Sequence, residues 1–263
     1  MQLNNMRVFH FLLFLFLVSC GEKKEENHVT KNDMPVAPPP NEIEEFARAY
    51  PDNGLPSKSK GSVGNGSLEN GKLMPWNGNN FMYFDTSSYY SEHAFVNDKV
   101  LKTVLSTYAE MEKLVPGRKF RIMECSNKEG GRIWPHRTHQ NGLSIDFMSP
   151  LTKEGEICYE HDNCGRIHYL MDFDENGRFI KDTSVSIDFN TLALHLLTLN
   201  TEAKKNGLRI NKVILKMELK DELYATENGK KLKNSGLYIT QKLDRLINSL
   251  HDDHYHVDFD VIK

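Results

Sequence analysis

The sequence predicts an α+β domain in which an antiparallel sheet is flanked by helices. Three observations carry this expectation. Apolar residues recur at helical spacing in one set of segments, they alternate in another, and an Asn-Gly pair sits between two alternating runs. Strands mixed with helices and joined partly by hairpins fit α+β better than a regular βαβ series.

The elements follow in chain order. Residues 97 to 115, NDKVLKTVLSTYAEMEKLV, place Val100, Val104, Tyr108, Met111 and Val115 on one face behind an Asn/Asp start, which predicts an amphipathic helix. KFRIMEC (119–125) and GLSIDF (142–147) read as strands. IHYLMDF and RFIKDTSVSI read as a hairpin around Glu175-Asn176-Gly177. A second helix is expected from about Asn190 to Lys205, capped by Asp188 or Asn190 and stopped near Gly207. LRINKVIL (208–215) reads as a strand, 237–249 as a third helix, and HYHVDF as a final strand.

Composition sets the outer limits. Residues 57–263 suffice for one domain with a sizeable core. Against 33 Lys and Arg stand 36 Asp and Glu, a balance that argues against a nucleic-acid partner. Near the start, Arg7 precedes an apolar run from Val8 to Val18, too short for a comfortable span, so residues 1–19 read as a secretory signal. Leu17-Val18-Ser19-Cys20 resembles the bacterial lipobox, which implies a lipoprotein signal peptide and lipidation of Cys20; an ordinary signal peptide with a coincidental cysteine is the alternative. The expected location is the periplasmic cell envelope, with a lipid anchor holding the protein to a membrane, the outer one by expectation. Residues 20–56, rich in charge and Pro and poor in large apolars, read as a flexible tether.

The chemistry gathers in two places. WPHRTHQNGLSIDF carries His136, His139 and Asp146, and HDDHYHVDF carries His251, His254, His256 and Asp258. Strand alternation sends Ser144 and Asp146 to one face of the first segment, and His254, His256 and Asp258 to one face of the second. If the two strands are neighbours, His139, Asp146 and His256 surround one point, and two imidazoles with one carboxylate suit a catalytic Zn²⁺. An HxH pair alone is weak, because single histidines are commonly surface residues.

His139, then six residues, then Asp146, together with His254-Tyr255-His256, resembles the LAS metallopeptidase pattern. GGRIWPHRTHQNGLSID, HDDHYHV and the upstream KSKGSVGNGSLENGKLMPWNGNNFMYF (58–84) resemble the penicillin-insensitive murein endopeptidase family. The resemblance spans residues 57–263 and implies a hedgehog/DD-peptidase-like catalytic domain. It implies zinc on His139, Asp146 and His256, with His254 as the catalytic histidine and His251 beside it. His136 falls on a family histidine lining the site, in a supporting or substrate-contacting role. The implied substrate is the cross-linking peptide of peptidoglycan, typically at a D-alanyl to meso-diaminopimelyl bond; a DD-carboxypeptidase, an L-Ala-D-Glu peptidase and a murein-binding lipoprotein with a structural metal are the alternatives. Ser144 stands where relatives often carry Asp, and Asp258 where a basic residue is common, departures expected to affect substrate electrostatics.

Other residues carry weaker expectations. Arg132 and Arg137 could attract substrate carboxylates or be solvated surface charge. Cys158 and Cys164 could form a disulfide, remain free thiols, or join His161 in a second metal site. Cys125 reads as a buried small hydrophobe. His93, His168 and His195 read as ordinary structural histidines. Trp76 reads as core and Trp134 as part of a cleft wall, while Tyr83, Tyr89 and Tyr90 fit either core or groove.

Overall fold

The apolar face of the 97–115 segment decides where the main sheet lies. The structure, a computed structural model, describes residues 40–262; residues 1–19, read as a signal peptide, Cys20, and the part of the expected tether up to residue 39 lie outside the described residues. The described residues begin with α1 (Pro40–Arg48), the hairpin β1 (Lys58–Ser62) and β2 (Asn65–Glu69), then β3 (Lys72–Leu73) and β4 (Phe81–Tyr83). It continues with α2 (Thr86–Tyr90), β5 (Phe95–Val96), α3 (Asp98–Leu114), β6 (Phe120–Ile122), β7 (Ser144–Met148), β8 (Leu151–Lys153), β9 (Glu156–Cys158) and β10 (Val185–Ile187). The last part holds α4 (Phe189–Lys205), β11 (Leu208–Ile214), α5 (Lys220–Ala225), α6 (Glu227–Asn234), α7 (Arg245–Ser249) and β12 (His254–Val261).

The five-stranded sheet has the order β11-β12-β7-β6-β4. All its pairs are antiparallel except β4 with β6, so the expected antiparallel sheet is mixed at one edge. α3 starts at Asn97, whose side chain accepts from the Lys99 amide, and α4 starts at Asp188, which accepts from Thr191. Such caps each contribute about 1 kcal/mol by satisfying amides that the first turn leaves free. Tyr108 of α3 packs against Phe120 at 5.4 Å and against His195 of α4. Below the sheet Phe147 stacks on Tyr255 at 5.5 Å. Full burial of each such aromatic contributes about 1.5–3 kcal/mol.

Several expectations need correction. Residues 40–48, read as tether, form α1, which buries Ile43 and packs Phe46 against Tyr89 and Tyr90. Tyr83 and Tyr89 are fully buried and serve the core, not a groove, with Trp76 packed on both. The segment IHYLMDF is not a strand: residues 165–170 form a 3-10 turn, and only Phe173 and Phe179 pair across the Asn-Gly bend. Helix 237–249 shrinks to α7, because Ile239 is drawn alongside Val213 in a parallel bridge and Asp244 supplies the cap only afterwards. α5 and α6 fall in a stretch whose polar residues and Gly229 hide the helical period. No disulfide joins Cys158 to Cys164: Cys158 is buried in the core at the end of β9, and Cys164 directs its sulfur to the His161 carbonyl at 2.8 Å. Cys125 is fully buried, as a small hydrophobe would be. Among the described residues no helix is long and apolar enough to cross a membrane.

His195 lies wholly inside the core, with Nδ1 2.8 Å from the Tyr255 hydroxyl, and burial pushes its pKa down to about 3. A depressed histidine is neutral in the fold but binds a proton when unfolded, so its contribution is present above about pH 6.5 and is lost as pH falls toward the folded value. The melting temperature should therefore drop as pH is lowered from 7 to 4. The double variant His195→Phe/Tyr255→Phe, which removes both polar partners together, should flatten that acid limb; an unchanged slope would remove His195 from the account.

Candidate metal centre

Register brings the two chemical segments together. β12 pairs antiparallel with β7 so that His256 lies opposite Asp146 and Asp258 opposite Ser144. Directly opposed residues share a face, so both rungs point away from the α3/α4 core. Tyr255, Val257 and Phe259 take the other face and are buried. The upper face is overlaid as well, by residues 134–138 and 242–253 around the cleft, and the exposed half of the expected alternation never appears in β7.

His139 reaches this face from a loop under constraint. Its backbone adopts φ +66°, a left-handed conformation costing a non-glycine residue about 1–3 kcal/mol. The loop is pinned where the Gln140 amide donates to Val63 and the Gln140 carbonyl accepts from Gly131. Gly130 has φ +73°, and a Cβ there would stand 2.3 Å from the Gln140 oxygen. Gly130 thus lets two backbones approach closely enough to hold His139 in place.

The buried atoms converge on one point. His139 Nε2 is 3.3 Å and His136 Nδ1 3.8 Å from Asp146 Oδ2. The His256 ring centroid is 4.7 Å from that of His139, and His256 Nδ1 donates to Asp146 Oδ1 at 2.7 Å. Both His139 nitrogens and Asp146 Oδ2 are buried without a hydrogen-bond partner. Leaving such groups unpaired costs about 1–3 kcal/mol each, a cost that a cation at the centre would remove for Asp146 Oδ2 and for one of the His139 nitrogens. The group whose ligand atoms lie mutually within 4.8 Å is His136, His139 and Asp146, and it could hold a metal ion. His136, expected only beside the ligands, is thus close enough to be one, whereas His256 has both ring nitrogens engaged by carboxylates. As a ligand His256 would first have to give up the ring proton that a carboxylate now holds.

Charge organises the surroundings. Asp146 is held well below the usual carboxylate range: burial opposes this, but the His139 and His256 imidazoles outweigh it. Burial also disfavours a charged His256, yet Asp258 and Asp146 on its two sides push its pKa up to about 10. Burial lowers His136 to about 4 and His251 to about 3, helped by His139 and His254 respectively. In His254 burial is again the largest effect but is overcome by Asp253, whose Oδ1 accepts from Nδ1 at 2.6 Å, so the pKa rises and Nε2 is left for the cleft. Asp252 faces elsewhere, accepting from the Phe173 amide and from Lys216 at 3.1 Å, and shapes the turn leading into β12.

A cleft of about 720 Å³ opens over these groups, lined by Trp134, His136, Arg137, Tyr169, His251, His254 and His256. Arg137 is paired with Asp244 at 2.7 Å on the rim, while Arg132 is exposed and does not line the cleft. Cys158, His161 and Cys164 form no metal-holding group among the described residues. His195 stays in the core, and His168 is buried with Nε2 3.2 Å from the Asp253 carbonyl. His93, read as merely structural, lines the cleft with Nδ1 3.1 Å from Glu124. Tyr169 was missed, because it lies in the segment read as a strand; its ring meets His254 edge-on at 5.3 Å and its hydroxyl is buried without a partner. Neither Glu124 nor Tyr169 carries a sequence signal of its own.

Two outcomes follow from this geometry. Gly130→Ala should destabilise the protein by more than about 2 kcal/mol and weaken metal uptake, whereas Gly131→Ala, whose Cβ would meet open space at φ +81°, should cost about 1 kcal/mol. Equal losses from the two would remove the close backbone approach as the cause. The raised His256 stabilises the metal-free fold below its unfolded pKa of about 6.5, and that contribution is lost as pH rises through about 10. Metal binding at pH 7 should accordingly release protons, measurable by calorimetry in buffers of different ionisation enthalpy, and apparent affinity should rise from pH 6 to 8.

No family model matches the chain and no curated protein matches it, so the chemistry of the site rests on its own residues and motifs.

Proposed function

We propose that the protein is a zinc-dependent peptidoglycan endopeptidase that hydrolyses amide bonds in murein cross-link peptides, typically between D-alanine and meso-diaminopimelate. The observation that carries this reading is the convergence of His136, His139 and Asp146 on one buried point, with His256 bonded to Asp146, beside a histidine backed by its own carboxylate. Nitrogen and oxygen donors in this number suit zinc in a catalytic rather than a closed structural site. The resemblance of the two motifs to murein endopeptidases supplies the substrate class. His139, Asp146 and His256 would hold the metal, with His136 adjoining them. Zinc held there supplies Lewis acidity toward an amide carbonyl and brings the pKa of water to about 7.

The remaining work falls to the chain's own side chains. His254, fixed by Asp253 through Nδ1, presents Nε2 to the cleft and can accept a proton from water and return it to the departing amine. Asp253 keeps the ring in one orientation and supports its charged form. Tyr169, with its pKa raised by burial, remains a hydroxyl donor that can bond to substrate oxygen. Arg137 and Trp134 form a rim suited to a peptide bearing carboxylates. The same reading places the protein in the periplasmic envelope, anchored through lipidated Cys20, with the outer membrane as the expected site.

Purified protein lacking residues 1–20 should convert cross-linked muropeptide dimers to monomers and lose this activity with a chelator. Trimmed monomers would indicate a carboxypeptidase, and binding without turnover would overturn the enzyme reading. His256→Ala should lose zinc and activity together, while His254→Ala should keep zinc and lose at least about 100-fold in rate. A His254→Ala protein at full rate would remove His254 from the mechanism.

A further inference from the structure

Beneath the proposed metal centre lies a second buried row of polar groups, which the proposed reaction does not use. Asp258 is 1 % exposed and sits between two strands, opposite Lys212 of β11 on one side and Ser144 of β7 on the other. Its Oδ1 accepts from the Ser144 hydroxyl at 2.6 Å and from His256 Nε2 at 2.7 Å. Its Oδ2 lies 2.9 Å from the Lys212 ammonium. Thr138 Oγ1 stands 3.4 Å from the same His256 nitrogen.

The backbone is shaped to make this row possible. Ile210 and Lys212 are two residues apart and would share a face in a regular strand. The register instead shifts between them, so that Ile210 pairs with Phe259 on the core face and Lys212 pairs with Asp258 on the site face. A bulge of this kind re-aims a side chain. Here it delivers a cation to a buried carboxylate whose other donors are the Ser144 hydroxyl and the His256 ring.

We infer that Asp258, held by Ser144 and Lys212, is the positioning residue that keeps the His256 proton on Nε2 and thereby presents Nδ1 to the metal. An imidazole bound to a metal through one nitrogen characteristically donates the other to a carboxylate, which fixes tautomer and ring orientation. His256 has that arrangement before any metal arrives, with Asp258 on Nε2 and Asp146 on Nδ1. Only the Asp146 side faces His139, so the Asp258 contact determines which nitrogen is free to ligate. The inference rests on His256 being a metal ligand.

The test uses two uncharged replacements of similar size. Asp258→Leu cannot accept from Nε2 and should weaken zinc binding about 10- to 100-fold in competition with a chromophoric chelator. Asp258→Asn keeps an acceptor oxygen and should recover most of that loss. Ser144→Ala, a milder change, gives a second reading if Asp258→Leu fails to fold and should weaken zinc about threefold, within the range for losing one supporting hydrogen bond. In the zinc-loaded wild type, histidine-ring ¹H–¹⁵N spectra should show a protonated Nε2 on His256 with its proton shifted downfield by the bond to Asp258, a shift that Asp258→Leu should lose and Asp258→Asn should largely keep. Unchanged zinc affinity in folded Asp258→Leu, or a His256 ring protonated at Nδ1, overturns this inference alone. A wild-type protein that takes up no zinc, or one whose His256→Ala variant binds it normally, overturns the ligand assignment and this inference with it.

Discussion

The antiparallel pairing of β7 with β12 is the interaction on which the rest of the molecule depends. One register places His256 opposite Asp146 and Asp258 opposite Ser144, while the alternate positions put Ile145, Phe147, Tyr255 and Val257 into the core. A slip of one residue would send every imidazole into the hydrocarbon layer and every aromatic into the cleft. Core formation and site assembly are therefore one event: the apolar face that packs on α3 and α4 selects the register, and the register assembles the polar face.

Burying so many charges has to be offset locally. Asp146 and Asp258 sit on either side of His256, Asp253 holds His254, and Lys212 balances Asp258. Isolated carboxylates at such depth would be strongly disfavoured. Arranged as alternating carboxylates and imidazoles, each group has an opposite neighbour, and a proton or a metal cation can occupy the same electrostatic position. What distinguishes His139 is that it lies beside Asp146 with neither ring nitrogen in a hydrogen bond, which marks the point toward which the network is open.

The N-terminal elements serve this arrangement from outside the sheet. α1 closes the aromatic layer around Tyr89, and the β1/β2 hairpin braces the loop of His139, through Val63 and through the close contact of Gly66 with Asn141. A strained ligand loop persists because these contacts over-determine it. The proposed peptidase chemistry would require such rigidity, since a metal ligand misplaced by an ångström loses much of its value.

Local pattern alone determined the parts with a strong period or a cap. α3, α4 and β11 appear close to their expected ends because amphipathic spacing, Asn97 and Asp188 act within a turn or two of chain. Alternation in HYHVDF likewise predicted which side chains share a face, and the two motifs together indicated which histidines to bring together. Tertiary structure decided what no window of sequence contains. The Asn-Gly hairpin contracted to a single bridge because the preceding residues wind into a 3-10 turn that buries His168. Residues 40–48 joined the core because an aromatic layer was waiting for Phe46. Asp258 turned from an oddity beside the site into the partner of His256, because a bulge in a distant strand brought Lys212 across to it. Spacing within a strand specifies a face; which groups meet on that face depends on the register with neighbouring strands, and that is set by the whole core at once.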